Sequence, residues 1–179
     1  YRNAYDDKLE AGEDPRLIRQ SLGSLAQLCA PGTCWSYQNI AFDASSEAVA
    51  QAMNEPYQDA IPDLLFKPLG MTSASLTRAG LESAKSWARP HAAGRRELPM
   101  SDAYYRVPAA GGVNSDIKDM ALWMIAQMGG MPAVISPKVL EVAHAQLVAT
   151  PGELGRLRKF RERIDNPYYG YGWRTYDYA

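Results

Sequence analysis

The sequence predicts a mainly α-helical protein in which a β-strand begins at the C-terminal end. Two observations predict the helices: apolar residues recur at helical spacing in several segments, and these segments begin at capping residues and end at glycine or proline. A third predicts the strand, because residues 173–178 are rich in aromatic and β-prone side chains. A chain of 179 residues is long enough to bury a core, so we interpret residues 1–179 as one domain.

The helices are predicted from their ends inward. Asp14 followed by Pro15 is typical of an N-cap with proline at the first helical position. Pro62 should kink a helix, because it lacks the N–H that bonds back one turn. The predicted helical spans are 15–26, 39–53, 55–70, 80–88, 115–128 and 136–144. Between them, Pro90, Gly94 and Pro99 predict a loop or small hairpin, and residues 108–112 predict a turn.

The helix over 115–128 has the clearest periodicity. Ser115 is predicted to cap it, and Gly129 follows its end. Met120, Met124 and Met128 recur on one side, and we predict that these methionines fill the core.

The charge of the chain favours neither nucleic acid nor a membrane surface as a partner. The formal net charge is -1, and no segment approaches the length of apolar sequence that crosses a bilayer. One basic run stands out, and we interpret it as a solvated loop or helix face rather than a nucleic-acid patch. Its basic residues are Arg156, Arg158, Lys159, Arg161 and Arg163.

The cysteines and histidines do not indicate a metal site. Cys29 and Cys34 bracket a Pro-Gly turn, so they are either free thiols, which we favour, or a disulfide formed in an oxidising compartment. Zinc would require more ligands, and His91 and His144 are distant in sequence. His91 lies in a proline-rich loop, and His144 lies where a helix dipole favours histidine. We therefore expect no metal and no organic cofactor.

Both ends of the sequence suggest a fragment. The chain opens in an acidic, loop-like stretch and closes on the strand over 173–178, with no turn or partner after it. We therefore expect a partial domain with an exposed apolar face where further strands belong. The aromatic residues from Tyr168 to Trp173 either line a substrate cleft or, as we favour, form a turn that packs into that sheet.

A Tyr-x-Asn element at Tyr37 and Asn39 is the main candidate for a functional site. The pattern alone is weak, because it recurs at Tyr1 and Asn3. Its context is richer, because four segments follow one another in a definite order. They are residues 31–39 (PGTCWSYQN), 67–72 (KPLGMT), 108–123 (PAAGGVNSDIKDMALW) and 169–173 (YGYGW).

This order of segments resembles the serine β-lactamase-like superfamily, which includes class C β-lactamases, D-alanyl-D-alanine carboxypeptidases and family VIII esterases. The resemblance extends from about Pro31 to Trp173. It implies an α+β fold whose helical subdomain packs against an antiparallel sheet, with the active site between them. It also implies a nucleophilic serine in an upstream Ser-x-x-Lys and a downstream Lys/His-x-Gly, neither of which this chain shows at the expected place.

The resemblance implies specific roles for both residues. Tyr37 would move a proton between the nucleophile and the leaving group, and Asn39 would position the substrate amide or carbonyl. A phenol acts as a base at neutral pH only when lysine ammonium groups stabilise the phenolate. Those lysines belong to the two elements not seen here, so Tyr37 is expected to behave as an ordinary phenol in this chain. The alternative is structural, with Tyr37 ending a loop and Asn39 capping a helix.

A second Ser-x-x-Lys pattern occurs at Ser115 and Lys118. A serine at a helix start with a lysine one turn later could be activated as a nucleophile. However, it follows the Tyr-x-Asn element instead of preceding it, and Asp116 would pair with or repel the developing charges. We therefore interpret Ser115 as a helix cap.

The sequence therefore predicts a serine hydrolase of the β-lactamase or penicillin-binding type, inactive as this chain alone. The substrate would be a β-lactam, a peptidoglycan D-Ala-D-Ala stem or a small ester. The alternatives are a non-catalytic binding module on the same helical scaffold and an unrelated helical binding protein. We expect a periplasmic or secreted location in a bacterium, with a cytoplasmic one as the alternative.

Overall fold

The computed structural model describes residues 4–160 and 162–178, and it confirms a mainly α-helical chain with strands near the C-terminal end. The Tyr-x-Asn copy at Tyr1 and Asn3, and Arg161 of the basic run, lie outside these residues. The helices are α1 (Ala4–Glu10), α2 (Pro15–Leu22), α3 (Asn39–Phe42), α4 (Ala44–Met53), α5 (Tyr57–Ile61), α6 (Lys67–Leu69), α7 (Arg78–Glu82), α8 (Pro108–Gly111), α9 (Ile117–Gln127) and α10 (Pro137–Ala143). The strands are β1 (Val148–Ala149), β2 (Ile164–Tyr169) and β3 (Arg174–Tyr178).

The chain divides into two compact units. Unit 1 contains the residues up to Leu25 together with Gln38–Ile125, and unit 2 contains Ala26–Tyr37 and the residues from Ala126 onward. Tyr37 therefore belongs to unit 2, whereas Asn39 belongs to unit 1. Within the described ranges, no helix is long and apolar enough to cross a membrane.

The core of unit 1 forms where α1, α2 and α3 meet the segment before α8. Its fully packed residues are Leu9, Ile18, Ile40, Ala103 and Val107. The predicted start of α2 is confirmed, because the Asp14 carboxylate accepts from the N–H of Arg16 at 2.8 Å. The helix ends at Leu22, earlier than predicted, because Gly23 follows it.

The two helices predicted over residues 39–53 and 55–70 are each interrupted, the first at Asp43 and the second at Pro62. The predicted helix over 39–53 is two helices that meet at Asp43. Pro62 interrupts the following helix as predicted, but the chain continues through a π-helical turn, Pro62–Phe66, before α6. Gly70 then ends α6 in a left-handed conformation with φ +75°, which glycine adopts without strain. The predicted hairpin near residue 94 is confirmed by an antiparallel bridge between His91 and Glu97.

The predicted core role of the α9 methionines is wrong. Met120, Met124 and Met128 are all exposed, and Met124 retains 58% of its accessible surface. The buried side of the helix instead carries Asp119, which is 2% exposed, and Ala126. The helix was therefore correctly predicted from its periodicity, but the wrong side was assigned to the core. The side that faces the core carries the buried Asp119 carboxylate instead of the methionines.

Unit 2 contains an antiparallel three-stranded sheet in the order β1-β2-β3. The sequence predicts one strand in this region, β3, and the structure adds a preceding partner: β3 pairs with β2 from Ile164↔Tyr178 to Tyr169↔Arg174. β2 was not predicted because the strand contains Pro167, which is unusual within a strand, and a register shift between Asp165 and Tyr168. Arg156, Lys159 and Arg163 of the basic run have exposed side chains and lie in turns or a short 3-10 helix, as predicted.

Candidate functional site

Tyr37 lies in unit 2, in a segment over 34–38 without regular secondary structure. Its side chain is 56% exposed. Its hydroxyl forms no hydrogen bond, and no lysine pairs with it, among the residues that the structure describes. The phenol is therefore accessible to a reacting group, but the described chain does not supply the cation that would activate it.

Aromatic packing holds the segment that carries Tyr37 within unit 2. Trp35 stacks on Tyr169 of β2, with ring centroids 4.3 Å apart and planes inclined by 8°. The Arg174 guanidinium lies 5.4 Å from the Trp35 ring and 5.7 Å from the Tyr169 ring, and it pairs with Glu153 at 3.8 Å. Stacked rings and a cation over them each stabilise such a contact. The first and the last of the four family-like segments are thus packed together.

A disulfide joins Cys29 and Cys34, so the favoured interpretation of free thiols is wrong. The two Cα atoms are 6.2 Å apart, although only five positions separate them in sequence. A turn brings them together: Gly32 has φ +81°, and the N–H of Thr33 donates to the Ala30 carbonyl at 3.1 Å. The local backbone, rather than the cysteine spacing, therefore determines that they pair.

Removal of this disulfide is expected to lower the free energy of unfolding by about 2 kcal/mol, the loop-closure value for so short a loop. Urea denaturation of the oxidised chain with and without dithiothreitol measures the loss. The double variant Cys29→Ser/Cys34→Ser should match the reduced chain and should not respond to dithiothreitol. Equal midpoints for the oxidised and reduced chains would contradict the expectation.

Asn39 is the first residue of α3 in unit 1, and it does not cap that helix. Gln38 does so instead, because its side-chain oxygen accepts from the N–H of Ile40 at 2.7 Å. The Asn39 side-chain amide is consequently available for other contacts. Its Nδ2 donates to Asp6 Oδ2 on α1 at 3.1 Å.

Asp43 links three helices of unit 1, and the sequence analysis did not single it out. Its carboxylate accepts from the N–H of Ala109 at 3.0 Å and pairs with Arg19 of α2 at 3.1 Å. Burial raises the pKa of Asp43, while the Ala109 N–H and then the Arg19 charge act to lower it. The signal in the sequence is an aspartate inside an alanine-rich helical run.

A second buried carboxylate joins two of the family-like segments in unit 1. Asp119 accepts from the N–H groups of Thr72 and Ser73 at 3.1 Å and 2.9 Å, and from the Ser73 hydroxyl at 2.8 Å. Residues 67–72 and 108–123 are therefore connected by hydrogen bonds between a side chain and the backbone. This contact explains why α9 buries a charged residue.

A cavity of about 650 Å³ lies in unit 1 beside Asp43. Arg16, Arg19 and Arg106 contribute to its wall. The first two pair with Glu47, and Arg106 donates to backbone carbonyl groups, including that of Glu13 at 2.9 Å. Because these cations are used internally, the cavity does not present an unpaired positive charge to a ligand.

The Ser115 pattern does not form a nucleophilic site in the described chain. Ser115 is exposed, and its hydroxyl donates to the Asp116 carbonyl at 3.3 Å. The prediction that Ser115 caps α9 is wrong, because the Asp116 side chain accepts from the N–H groups of Lys118 and Asp119 at 2.9 Å and 2.8 Å. The Asp119 N–H is the main cause that lowers the pKa of Asp116. Serine and aspartate are both good N-cap residues, and the helix begins one residue later than predicted, so Asp116 rather than Ser115 is the cap.

The histidines have structural surroundings. His144 follows α10, as predicted, with Nε2 2.9 Å from Gln127 Oε1 and its ring edge against Trp173, 4.7 Å between centroids. His91 is exposed, and its Nδ1 lies 2.7 Å from the Arg89 carbonyl. Among the residues that the structure describes, no three histidine, cysteine, aspartate or glutamate side chains group to hold a metal ion.

Comparison with curated proteins and solved structures identifies similar proteins. The chain is 33% identical over 95 residues to the D-alanyl-D-alanine-carboxypeptidase/endopeptidase AmpH of Escherichia coli (strain K12), covering 53% of this chain and 23% of that protein. It superposes with a TM-score of 0.73 on the octameric penicillin-binding protein homologue from Pyrococcus abyssi, at 19% identity, covering 96% of this chain and 38% of that one. A class C beta-lactamase in complex with cefoxitin matches with a TM-score of 0.58 at 21% identity, covering 74% and 36%.

These coverages show that the chain spans about a quarter of the length of AmpH and less than half of the two solved structures. The structural matches, all below 25% identity, establish a β-lactamase-like fold. The sequence model of the Beta-lactamase family matches residues 1–179. The chain therefore belongs to the Beta-lactamase family.

Proposed function

We propose that this chain is part of a serine hydrolase that forms and hydrolyses an acyl-enzyme. The observation that carries the proposal is the family match over residues 1–179. Among possible substrates we place a peptide ending in D-alanyl-D-alanine first, because the curated relative AmpH is named as a carboxypeptidase and endopeptidase. A β-lactam or a small ester would react by the same attack on a carbonyl carbon.

In the proposed reaction, Tyr37 acts as a phenolate and takes the proton of a serine hydroxyl while the serine oxygen attacks the substrate carbonyl. Tyr37 then protonates the leaving group, and water hydrolyses the acyl-enzyme in a second step. The exposure of the Tyr37 hydroxyl supports this role, since a proton carrier must reach the reacting atoms. Asn39 would bind the substrate through its side-chain amide.

The disulfide supports an exported location, periplasmic or secreted. Disulfides persist in oxidising compartments and are rare in the bacterial cytosol. Cys34 is exposed, so a cytosolic reductant would have access to the bond.

The proposal is tested with two proteins: the 179-residue chain and the polypeptide encoded by the complete reading frame. The complete polypeptide should release D-alanine from a D-Ala-D-Ala peptide and show an acyl adduct on a serine by intact mass spectrometry. The 179-residue chain should show negligible turnover of a chromogenic cephalosporin or a p-nitrophenyl ester, because no lysine among the described residues pairs with the Tyr37 phenol to activate it.

Two results would oppose the proposal. Rapid hydrolysis by the 179-residue chain that is lost in Ser115→Ala would make Ser115 the nucleophile. Binding of a substrate by the complete polypeptide without any adduct or product would favour a non-catalytic binding module on the same scaffold.

A further inference from the structure

A basic hairpin segment, residues 83–97, lies on the surface of unit 1. An antiparallel bridge between His91 and Glu97 closes the hairpin. At its tip, Gly94 and Arg95 have φ +77° and φ +63°. A Cβ added to Gly94 would meet no atom within 4 Å other than those of its chain neighbours. The hairpin therefore presents its tip to open solvent.

The basic hairpin segment concentrates positive charge in a chain whose formal net charge is -1. It contains a single acidic residue, Glu97, which lies 3.9 Å from the Arg89 guanidinium. Its basic side chains are all exposed, and within the described part of the chain those other than Arg89 form no ion pair or hydrogen bond. The net charge of the chain therefore hides a local excess of unpaired cations. The basic residues are Lys85, Arg89, Arg95 and Arg96.

The backbone at Arg95 is not one that arginine favours. A positive φ is disfavoured for an L-residue with a side chain, whereas glycine adopts it without strain. Glycine would therefore suit the local fold at this position better than arginine does. Backbone strain of this kind clusters at functional sites, so the arginine indicates a use for the guanidinium outside the hairpin.

An indole ring lies among these cations. The Arg89 guanidinium is 4.0 Å from the centroid of the Trp87 ring, and Trp87 is half-buried. Tryptophan is enriched where lipid headgroups meet water, because its ring is apolar and its N–H is polar. Arginine binds phosphate oxygens through a planar fork of N–H donors. This combination suits a surface that carries phosphate groups above an apolar layer.

We propose that the basic hairpin segment binds an anionic phospholipid surface. The guanidinium groups of Arg95 and Arg96 contact the phosphate oxygens, and Trp87 lies at the level of the headgroups. A nucleic acid would offer the same phosphate chemistry, but the exported location proposed above favours a lipid surface. The contact goes beyond the proposed hydrolase activity and does not depend on it.

Co-sedimentation of the 179-residue chain with vesicles tests the proposal. The chain should bind vesicles of phosphatidylglycerol and phosphatidylcholine in equal parts, and it should not bind phosphatidylcholine alone. High sodium chloride should release it, because salt screens exposed charges. Inorganic phosphate at the same ionic strength should release no more, since the ligand is a charged surface. Equal binding to both kinds of vesicle, or binding to duplex DNA without binding to vesicles, would overturn the proposal.

Arg95→Gly separates binding from folding. It should lower the partition coefficient for the anionic vesicles about fivefold, the effect of one basic residue near such a surface. Its urea midpoint should equal or exceed that of the wild type, because glycine relieves the positive φ. Arg96→Gln should lower the partition coefficient by a similar factor. Arg163→Gln is the matched control, because Arg163 is an exposed basic residue of unit 2, and it should change nothing.

The variants can also overturn the proposal. Partition coefficients that are unchanged in both Arg95→Gly and Arg96→Gln would do so, as would an equal loss in Arg163→Gln. Tryptophan fluorescence supplies an independent readout, because anionic vesicles should shift the emission to shorter wavelength. Trp87→Phe should remove this shift, and a shift that persists in this variant would exclude the hairpin from the lipid surface.

Discussion

Replacement of Asp43 by alanine is expected to lower the free energy of unfolding by about 3 kcal/mol, the lower end of the range for breaking a buried ion pair. The change leaves the Ala109 N–H without its acceptor and removes one partner of the Arg19 guanidinium. Arg19 retains Glu47 at 2.8 Å and the Ile40 carbonyl at 3.2 Å, which limits the loss. Urea denaturation followed by far-ultraviolet circular dichroism measures it.

Asp43→Asn is the matched control. Asparagine keeps an oxygen that accepts from the Ala109 N–H, so the variant is expected to lose about half as much stability. Equal losses in Asp43→Ala and Asp43→Asn would contradict a role for the Ala109 contact.

The same control tests the direction of the pH dependence. Because burial raises the pKa of Asp43 above 3.8, the folded state binds this proton more tightly than the unfolded state. Protonation of Asp43 therefore adds to the free energy of unfolding. This stabilisation is fully present below pH 3.8, and it is lost as the pH rises through the higher pKa that Asp43 has in the folded state. Asp43→Asn should remove this dependence.

Replacement of Tyr37 by phenylalanine, in the polypeptide from the complete reading frame, is expected to reduce kcat/KM by about 10²- to 10⁴-fold. The variant keeps the aromatic ring and removes the hydroxyl that would carry the proton. Because this hydroxyl has no partner among the described residues, the stability should change by less than about 0.5 kcal/mol. Steady-state hydrolysis of a D-Ala-D-Ala peptide and a denaturation curve measure the two effects.

Tyr178→Phe is the control for this variant. Tyr178 is 69% exposed, at the end of β3 in the same unit as Tyr37. It should leave kcat/KM unchanged. A Tyr37→Phe protein that retains full activity would exclude the phenol as the proton carrier.

The helices were predictable wherever the signal is local. Asp14 caps α2 as predicted, and the helix predicted to open at residue 136 is α10, with Ser136 as its cap. In both, a short side chain bonds to a backbone N–H two or three residues later. At α9 the position of the cap was ambiguous by one residue, because Ser115 and Asp116 are neighbours and either type of residue can cap a helix. The periodicity there was correct, but the buried side depends on the N–H groups of Thr72 and Ser73, which lie about 47 positions away.

The strands were less predictable than the helices. The aromatic run over 173–178 indicated β3, but Pro167 and the register shift hid its partner β2. The disulfide was missed for a related reason. Two cysteines five residues apart pair only if the backbone between them turns, and the spacing of the cysteines does not show whether it does.

For the candidate site, the sequence by itself determined the family resemblance and made Tyr37 and Asn39 the candidate residues, because four short segments occur in a definite order. The tertiary structure decided what those residues contact. Asp6 reaches Asn39 across 33 positions, and Asp43 reaches Ala109 across 66. Such contacts depend on how helices pack through Leu9, Ile40 and Val107, and a local pattern of residue types does not specify which distant side chain will meet the amide.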